Sequence, residues 1–447
     1  MSHTRPVSRR CLLGLTSAAV LASGTFGAGA AAARTSPAAG PLDALNRGAR
    51  PLRDMGALGR MVGGARVVGL GEASHSGHEF FTLKQRVFRH LVATKGFTTF
   101  ALEASWSTGL RLDAYVARGV GDPAQIMRDE FQGQYVFWNT EEYLDLIRWM
   151  RRYNVAHSGR PQLRFVGIDL GFPGKAAFDQ VFDYLAAYRP ELTDAIEPLY
   201  APLRPEAGTE AGPWIANQLF AKSATERKAD ADAATSALAL LRDRGRPHGS
   251  GRHGREAYAW AVQNATALAQ SFTGYAFPDE QFPERMRYRD QAMAANTTWW
   301  LRHRSGRILL ASNNGHIAYT SDNPAEFPEP AGAVLRRRLG DDYVNIGLTF
   351  NEGTVNALPD HTAQQPETYT VAPAPEGHNE STLDKVRYRD FSIDLRTAPA
   401  AARTWLDTAR PTRSFGLYWS TDAPQIALGR SYDILIHLHR IEAGHLR

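Results

Sequence analysis

The sequence holds a single cysteine, Cys11, in 447 residues. No disulfide framework is possible, and no thiol nucleophile exists beyond that position. It lacks any uninterrupted run of 18 apolar residues, so no membrane-spanning helix is predicted. It also lacks a large excess of one charge, with 51 Lys+Arg against 46 Asp+Glu. No internal repeat is visible. The 39 glycines follow no collagen-like period, and a 43% hydrophobic content is ample for a sizeable core, which excludes a disordered chain. The length suits two or three units of roughly 150 residues, or one large decorated domain.

The first 33 residues contain Arg5, Arg9 and Arg10 and no acid. Ser8-Arg9-Arg10-Cys11-Leu12-Leu13 opens an Ala/Gly/Leu-rich stretch that ends in Ala31-Ala32-Ala33. A basic start, an apolar middle and small residues before a cut predict a signal peptide over residues 1–33. The arginine pair points to the twin-arginine type, and hence to a secreted protein. Removal of this segment leaves 48 basic and 46 acidic residues, a net charge of +2. That is no nucleic-acid footprint. The short cluster Arg336-Arg337-Arg338 reads as a solvated helix face. The expected protein is a monomer that acts on a small molecule, with no nucleic-acid partner and no stable membrane association after export.

Beyond a Pro/Ala/Gly linker at residues 34–41, short apolar runs alternate with helical patterns. Strands are predicted at Ala65 to Gly71, Thr98 to Leu102, Leu163 to Ile168, Arg307 to Ala311, Tyr343 to Phe350 and Tyr432 to His439. Helical spacing runs from Glu79 to Ala93 and from Thr140 to Tyr153, with Glu141 and Glu142 in a favourable first turn. From about Glu191 to Arg304 the pattern is helical, broken by a Gly/Arg/His stretch at Arg244 to Arg255 that reads as an exposed loop. The fold class is therefore α/β, a mostly parallel central sheet flanked by helices with an inserted helical subdomain. The expected boundaries are a linker and N-terminal segment over 34–60, a first α/β part over 61–188, a helical insertion over 189–304 and a second α/β part over 305–447.

Chemistry gathers where these strands end. The first is followed by Glu72 and His75, the second by Glu103, the third by Asp169, and the fourth by Asn313-Asn314-Gly315-His316. Parallel strands would bring these groups to one cleft outside their carboxyl ends. One acid at a strand end means little, since such ends are commonly polar. Three acids and two histidines at successive ends predict a site.

Several chemistries are eliminated. Gly69-Leu70-Gly71-Glu72-Ala73-Ser74 mimics a dinucleotide loop, but Ser74 replaces the third glycine and Glu72 would repel a pyrophosphate. His78-Glu79-Phe80-Phe81-Thr82 begins like a zinc-protease helix but has Thr82 in place of the second histidine. Neither a Gly-x-Ser-x-Gly elbow nor a Walker A loop occurs. Histidine plus carboxylates remains. A histidine held by a carboxylate suits a general base near neutral pH, and a second histidine or an arginine suits an oxyanion. The same groups suit a metal ion. The metal-free reading, without a cofactor, is preferred.

Residues Val67 to His75, Glu79-Phe80-Phe81, Gly96-Phe97, Ala101-Leu102-Glu103-Ala104, Trp138-Asn139-Thr140-Glu141-Glu142, Arg289-Asp290-Gln291-Ala292-Met293-Ala294 and Asn314-Gly315-His316-Ile317-Ala318 together resemble the erythromycin esterase family. The resemblance is collinear from about residue 60 onward. It implies an α/β sheet with a helical insertion and metal-independent hydrolysis of a macrolide lactone. By position it implies that His75 activates water, that Glu72 and Glu103 orient and tune it, and that Arg289 and His316 position or polarise the ester. One departure stands out. The family usually carries a histidine three residues before the position of His316, and this sequence has Asn313, which donates a hydrogen bond but shuttles no proton.

Of the remaining candidates, Glu79, Trp138, Asp169 and Asn313 are assigned to substrate binding. Glu79 also suits a helix N-terminus, and Trp138 also suits a core. His78, His90 and Trp299-Trp300 read as surface or packing residues, and His437 and His439 as structural. The leading function is a hydrolase that opens a lactone or ester of a macrolide-like or other natural product. The alternatives are intramolecular acyl transfer or isomerisation in secondary metabolism, and a non-catalytic haem or small-molecule binder, since the family's fold is similar to that of bacterial haem-binding surface proteins.

Overall fold

A computed structural model describes residues 40–447, apart from 249, 250, 305, 361, 362, 364 and the side chain of residue 134. The expected signal peptide at 1–33 and the first part of the linker lie outside the described residues. Eleven strands occur in chain order: β1 (Arg50–Pro51), β2 (Val67–Leu70), β3 (Phe97–Ser105), β4 (Arg164–Asp169), β5 (Arg307–Ala311), β6 (Tyr343–Ala357), β7 (Glu367–Val371), β8 (Phe391–Asp394), β9 (Arg410–Pro411), β10 (Gln425–Ile426) and β11 (Ile434–Ile441). Nine form one sheet in the order β1-β8-β11-β6-β2-β5-β3-β4, with β7 paired to β6. The six strands from β11 to β4 are parallel. The antiparallel pairs are confined to β1, β8 and β7. The fold is thus a mixed α/β sheet, mostly parallel.

The central strands read as continuous apolar runs because helices cover both faces. Every residue of β2 and β3 is buried. One face packs Val68, Leu70, Phe100, Leu102 and Leu309 with the His78–Lys95 helix. The other packs Val67, Ala101, Ile308 and Leu310 with the Phe282–His303 helix. A third core, with Phe178, Leu185, Leu241 and Phe272, lies within the helices between Lys175 and Ala276. The described residues form one compact unit. No helix among the described residues is long and apolar enough to cross a membrane.

The order of the sheet creates the cleft. From β2 the chain moves to β3 and β4 on one side, and it later returns to place β5 next to β2 and β6 on the far side of β2. The connections diverge around β2, and ligands bind outside the carboxyl ends of strands at such a point. Gly71, just beyond β2, meets the turn after β5 so closely that a Cβ there would lie 2.1 Å from Asn314 Oδ1. Asn314 in turn donates from Nδ2 to the Leu348 carbonyl at 2.7 Å and accepts the Leu348 N–H at 3.1 Å. Its own N–H donates to the Glu72 carbonyl at 2.9 Å. One residue therefore ties the ends of β2 and β5 to β6.

Within the linker and N-terminal segment expected over 34–60, helices run over Pro41–Gly48 and Met55–Val62. Pro41 at the first helical turn, Asp43 within it and the Asp54 cap explain them. The expected loop at 244–255 is shorter, since the Gly251–Ala276 helix already includes Gly251 to Arg255. Its buried stripe from Ala261 to Tyr275 supports a helix that extends outward into solvent.

Candidate active site

Glu72 and His75 sit in the loop between β2 and the 78–95 helix. His75 Nδ1 lies 3.0 Å from Glu72 Oε1. A carboxylate oxygen accepts, so Nδ1 donates to Glu72 and Nε2 is the ring nitrogen left free of that bond. The other Glu72 oxygen accepts from Lys84, and both of these side chains are wholly buried. Phe137 stacks on the His75 ring at 6.2 Å between centroids, and Trp138 meets it edge-on at 5.0 Å. Trp138 Nε1 donates to the Glu103 carbonyl at 2.6 Å. The imidazole is thus fixed by a carboxylate on one side and two aromatic rings on another, and only 8% of the residue reaches solvent.

A second cluster centres on Glu103, in β3. The register of β3 against β4 shifts between Leu102 and Ser105, around Glu103. Such irregularities re-aim side chains beside functional sites. Glu103 Oε1 accepts from Arg289 Nη2 at 2.8 Å and lies 3.3 Å from His316 Nε2. Oε2 accepts from Ser312 Oγ at 2.6 Å and from the Asn313 N–H at 2.9 Å. Arg289 also grips Asp169, from Nε at 2.9 and 3.0 Å and from Nη2 at 2.5 Å. Tyr135 donates to the same carboxylate at 3.0 Å. His316 Nδ1 lies 2.8 Å from Asp290 Oδ1.

These contacts set the charges. Burial alone would raise the Glu103 carboxyl, but His316, Arg289 and His75 outweigh it and hold it well below the usual carboxylate range. Burial alone would lower His316, yet Asp290 and Glu103 push it up to about 10. Burial likewise disfavours the Arg289 cation, and Asp169 and Glu103 reverse that. His316 is therefore an imidazolium at neutral pH, with both ring nitrogens donating. Arg289 Nη1 lies 3.2 Å from His316 Nε2. Two donors at that distance make no hydrogen bond with each other. Their repulsion is offset by Glu103, Asp169 and Asp290.

The structure brings Glu72 and His75 into one unit and Glu103, Asp169, Arg289 and His316 into another, with Trp138 touching both. Asn313 contributes differently from a free side chain. Its Oδ1 caps the short Asn314–Ile317 helix by accepting the Gly315 N–H at 2.9 Å, and its backbone holds Glu103. Glu79 does not join the network. Its Oε2 accepts the Glu442 N–H at 2.7 Å and ties the helix start to the 442–447 segment. His437 hydrogen-bonds Thr349 at 3.0 Å, and His439 hydrogen-bonds Asp384 at 2.8 Å.

Sequence reasoning missed Lys84, Ser312, Asp290 and Tyr135. Lys84 was detectable, because it interrupts the apolar stripe Phe80, Phe81, Leu83, Val87, Phe88 and Leu91. A charge in such a stripe needs a buried partner. Asp290 and Tyr135 carry no such local signal, since their partners are remote in sequence.

The family model for erythromycin esterase matches residues 92–441. The chain is 24% identical over 380 residues to an erythromycin esterase type II from Escherichia coli, covering 78% of this chain and 87% of that protein. A crystal structure of a protein from Bacillus cereus is similar at a TM-score of 0.81 and 28% identity, covering 91% of this chain and 98% of that one. An erythromycin esterase mutant (EreC) in its open conformation shares the fold, at a TM-score of 0.66 and 19% identity over 88% of this chain and 95% of that one. Over a match of this extent, the chain belongs to the erythromycin esterase family.

Proposed function

We propose that this protein hydrolyses a lactone or ester by water that His75 activates. The observation that carries the reading is the buried Lys84–Glu72–His75 chain, which leaves Nε2 as the ring nitrogen free of that bond. Membership of an esterase family supports the ester hydrolase class. In the proposed reaction Nε2 takes one proton from water as its oxygen bonds the acyl carbon. The carbonyl electron pair moves to oxygen, and the Arg289 and His316 donors stabilise that oxyanion. Collapse breaks the acyl–oxygen bond, and His75 returns the proton to the leaving alkoxide. A lactone then yields a hydroxy acid, with one water added.

Glu72 fixes the tautomer and orientation of His75, and Glu103 and Asp169 hold Arg289 in place. The basic, then Ala/Gly/Leu-rich composition of residues 1–33 supports export of the protein. Incubation of the protein with a panel of macrolides and simpler lactones, followed by mass spectrometry, tests the reading. Gain of one water is expected. A product of unchanged mass but altered retention would instead establish acyl transfer or isomerisation.

A further inference from the structure

Apart from the site described above, His78, Glu142 and His445 bring one ligand atom each to within 4.8 Å of one another. The three come from different parts of the chain. His78 begins the 78–95 helix, Glu142 lies in the first turn of the Glu141–Ala156 helix, and His445 belongs to the 442–447 segment. His78 Nδ1 lies 2.6 Å and His445 Nδ1 2.8 Å from the same oxygen, Glu142 Oε1. The two rings meet edge-on at 69°, with centroids 5.0 Å apart.

The carboxylate is used unevenly. Oε1 receives both imidazoles and also the His445 N–H at 3.2 Å. Oε2 is buried and has no hydrogen-bond partner. The Glu142 side chain is only 4% exposed, so that oxygen cannot rely on water. The two imidazole nitrogens meet at Oε1, and a cation held between them and this carboxylate would also give the orphaned Oε2 a partner.

We infer that His78, Glu142 and His445 form a binding site for a divalent transition-metal ion of the zinc class. Two imidazoles and a carboxylate are an established donor set for zinc, and imidazole favours such ions over magnesium or calcium. Bonds of about 2.0–2.2 Å require ligand atoms roughly 3.0–3.5 Å apart, so from 2.6 and 2.8 Å the imidazole nitrogens need move outward from Oε1 by roughly 0.2–0.9 Å. The His445 side chain, 64% exposed, has room to do so and leaves a side open for water as a further ligand.

The ion would have a structural role. Four backbone hydrogen bonds already stitch the 442–447 segment to its surroundings. His78 N–H donates to Glu442 at 2.7 Å, Gly444 to Ser76 at 3.1 Å, Glu141 to His445 at 3.0 Å and Arg447 to Asn139 at 2.9 Å. The segment therefore clasps both the loop that carries His75 and the stretch that carries Trp138. A metal at their junction locks that clasp.

The test uses the full chain, freed of metal by a chelator and titrated with zinc by calorimetry and with cobalt by visible absorption. One zinc per chain is expected, with the cobalt spectrum of a low-coordinate nitrogen and oxygen site and a melting temperature that rises with zinc. His445→Ala alters an exposed side chain and Glu142→Gln keeps the shape of the carboxylate, so both variants should fold. Each should weaken zinc binding by more than the ~10–100-fold typical of a merely supporting residue, and each should abolish the rise in melting temperature. With 14 histidines in the chain, adventitious binding elsewhere has a clear signature. Equal zinc affinity in wild type, His445→Ala and Glu142→Gln overturns the proposal, and so does the absence of binding to wild type.

Discussion

Lys84 Nζ and Glu72 Oε2 form an ion pair in which neither side chain has any exposure to solvent. Both charges have lost their hydration, and each depends on the other. The second Glu72 oxygen holds His75. The stability of the loop and the orientation of the proposed base thus rest on one carboxylate.

Lys84→Met should destabilise the fold by about 3–5 kcal/mol, because it strands a buried carboxylate. Urea unfolding monitored by circular dichroism measures this. Adding Glu72→Gln to Lys84→Met should recover part of the loss, since the double variant buries no unpaired charge. A cost below about 1 kcal/mol for Lys84→Met is what an exposed pair would give, and it would contradict the burial described.

The charges at Glu103 and His316 predict how stability varies with pH. His316 is raised from an ordinary 6.5 to about 10 in the fold. Its contribution is complete below pH 6.5 and is lost as pH rises through about 10. Glu103 is depressed below its ordinary 4.5. Its contribution is complete above pH 4.5 and is lost as pH falls through the lower folded value. Melting temperatures should therefore decline between about pH 7 and 10, and His316→Asn should flatten that alkaline limb. An unchanged slope in the variant would show that His316 is not the titrating group.

Gly71→Ala should cost about 1–3 kcal/mol by overpacking. The new Cβ would press on Asn314 Oδ1 at 2.1 Å and Asn314 Cα at 3.3 Å. Asn314 cannot yield freely, because Leu348 holds both ends of its amide. A neutral result in thermal unfolding would mean that the turn after β5 is more compliant than its hydrogen bonds indicate.

Glu79→Gln should leave both kcat and KM within about twofold of wild type and lower stability by no more than ~1 kcal/mol. Its carboxylate serves the Glu442 N–H rather than the Glu103 network. A large rise in KM would restore Glu79 to the substrate-binding role that its position in the sequence suggests.

The strand ends were the legible part of the site. Glu72, Glu103, Asp169 and His316 follow buried apolar runs, and parallel pairing alone suffices to gather them. The edges of the sheet were not legible. β1 has two residues and β8 four, too few for a periodic signal, and their pairing with distant strands is a tertiary choice. Asn313 and Glu79 each make a contact that their position in the sequence does not announce, a turn cap and a clamp on a passing backbone. Tyr135 and Asp290 were illegible for the opposite reason, since each acts only through a partner brought close by the fold. The His78–Glu142–His445 cluster joins residues 64 and 303 positions apart, with no spacing motif to announce it.

The rate at which His75→Ala turns over an ester that the wild-type protein hydrolyses tests the central claim most directly. The variant's fold would be checked by near-ultraviolet circular dichroism. If His75 generates the nucleophile, kcat should fall by about 100- to 10,000-fold in a folded variant. A folded His75→Ala protein that hydrolyses the same ester within a few-fold of the wild-type rate would contradict the account.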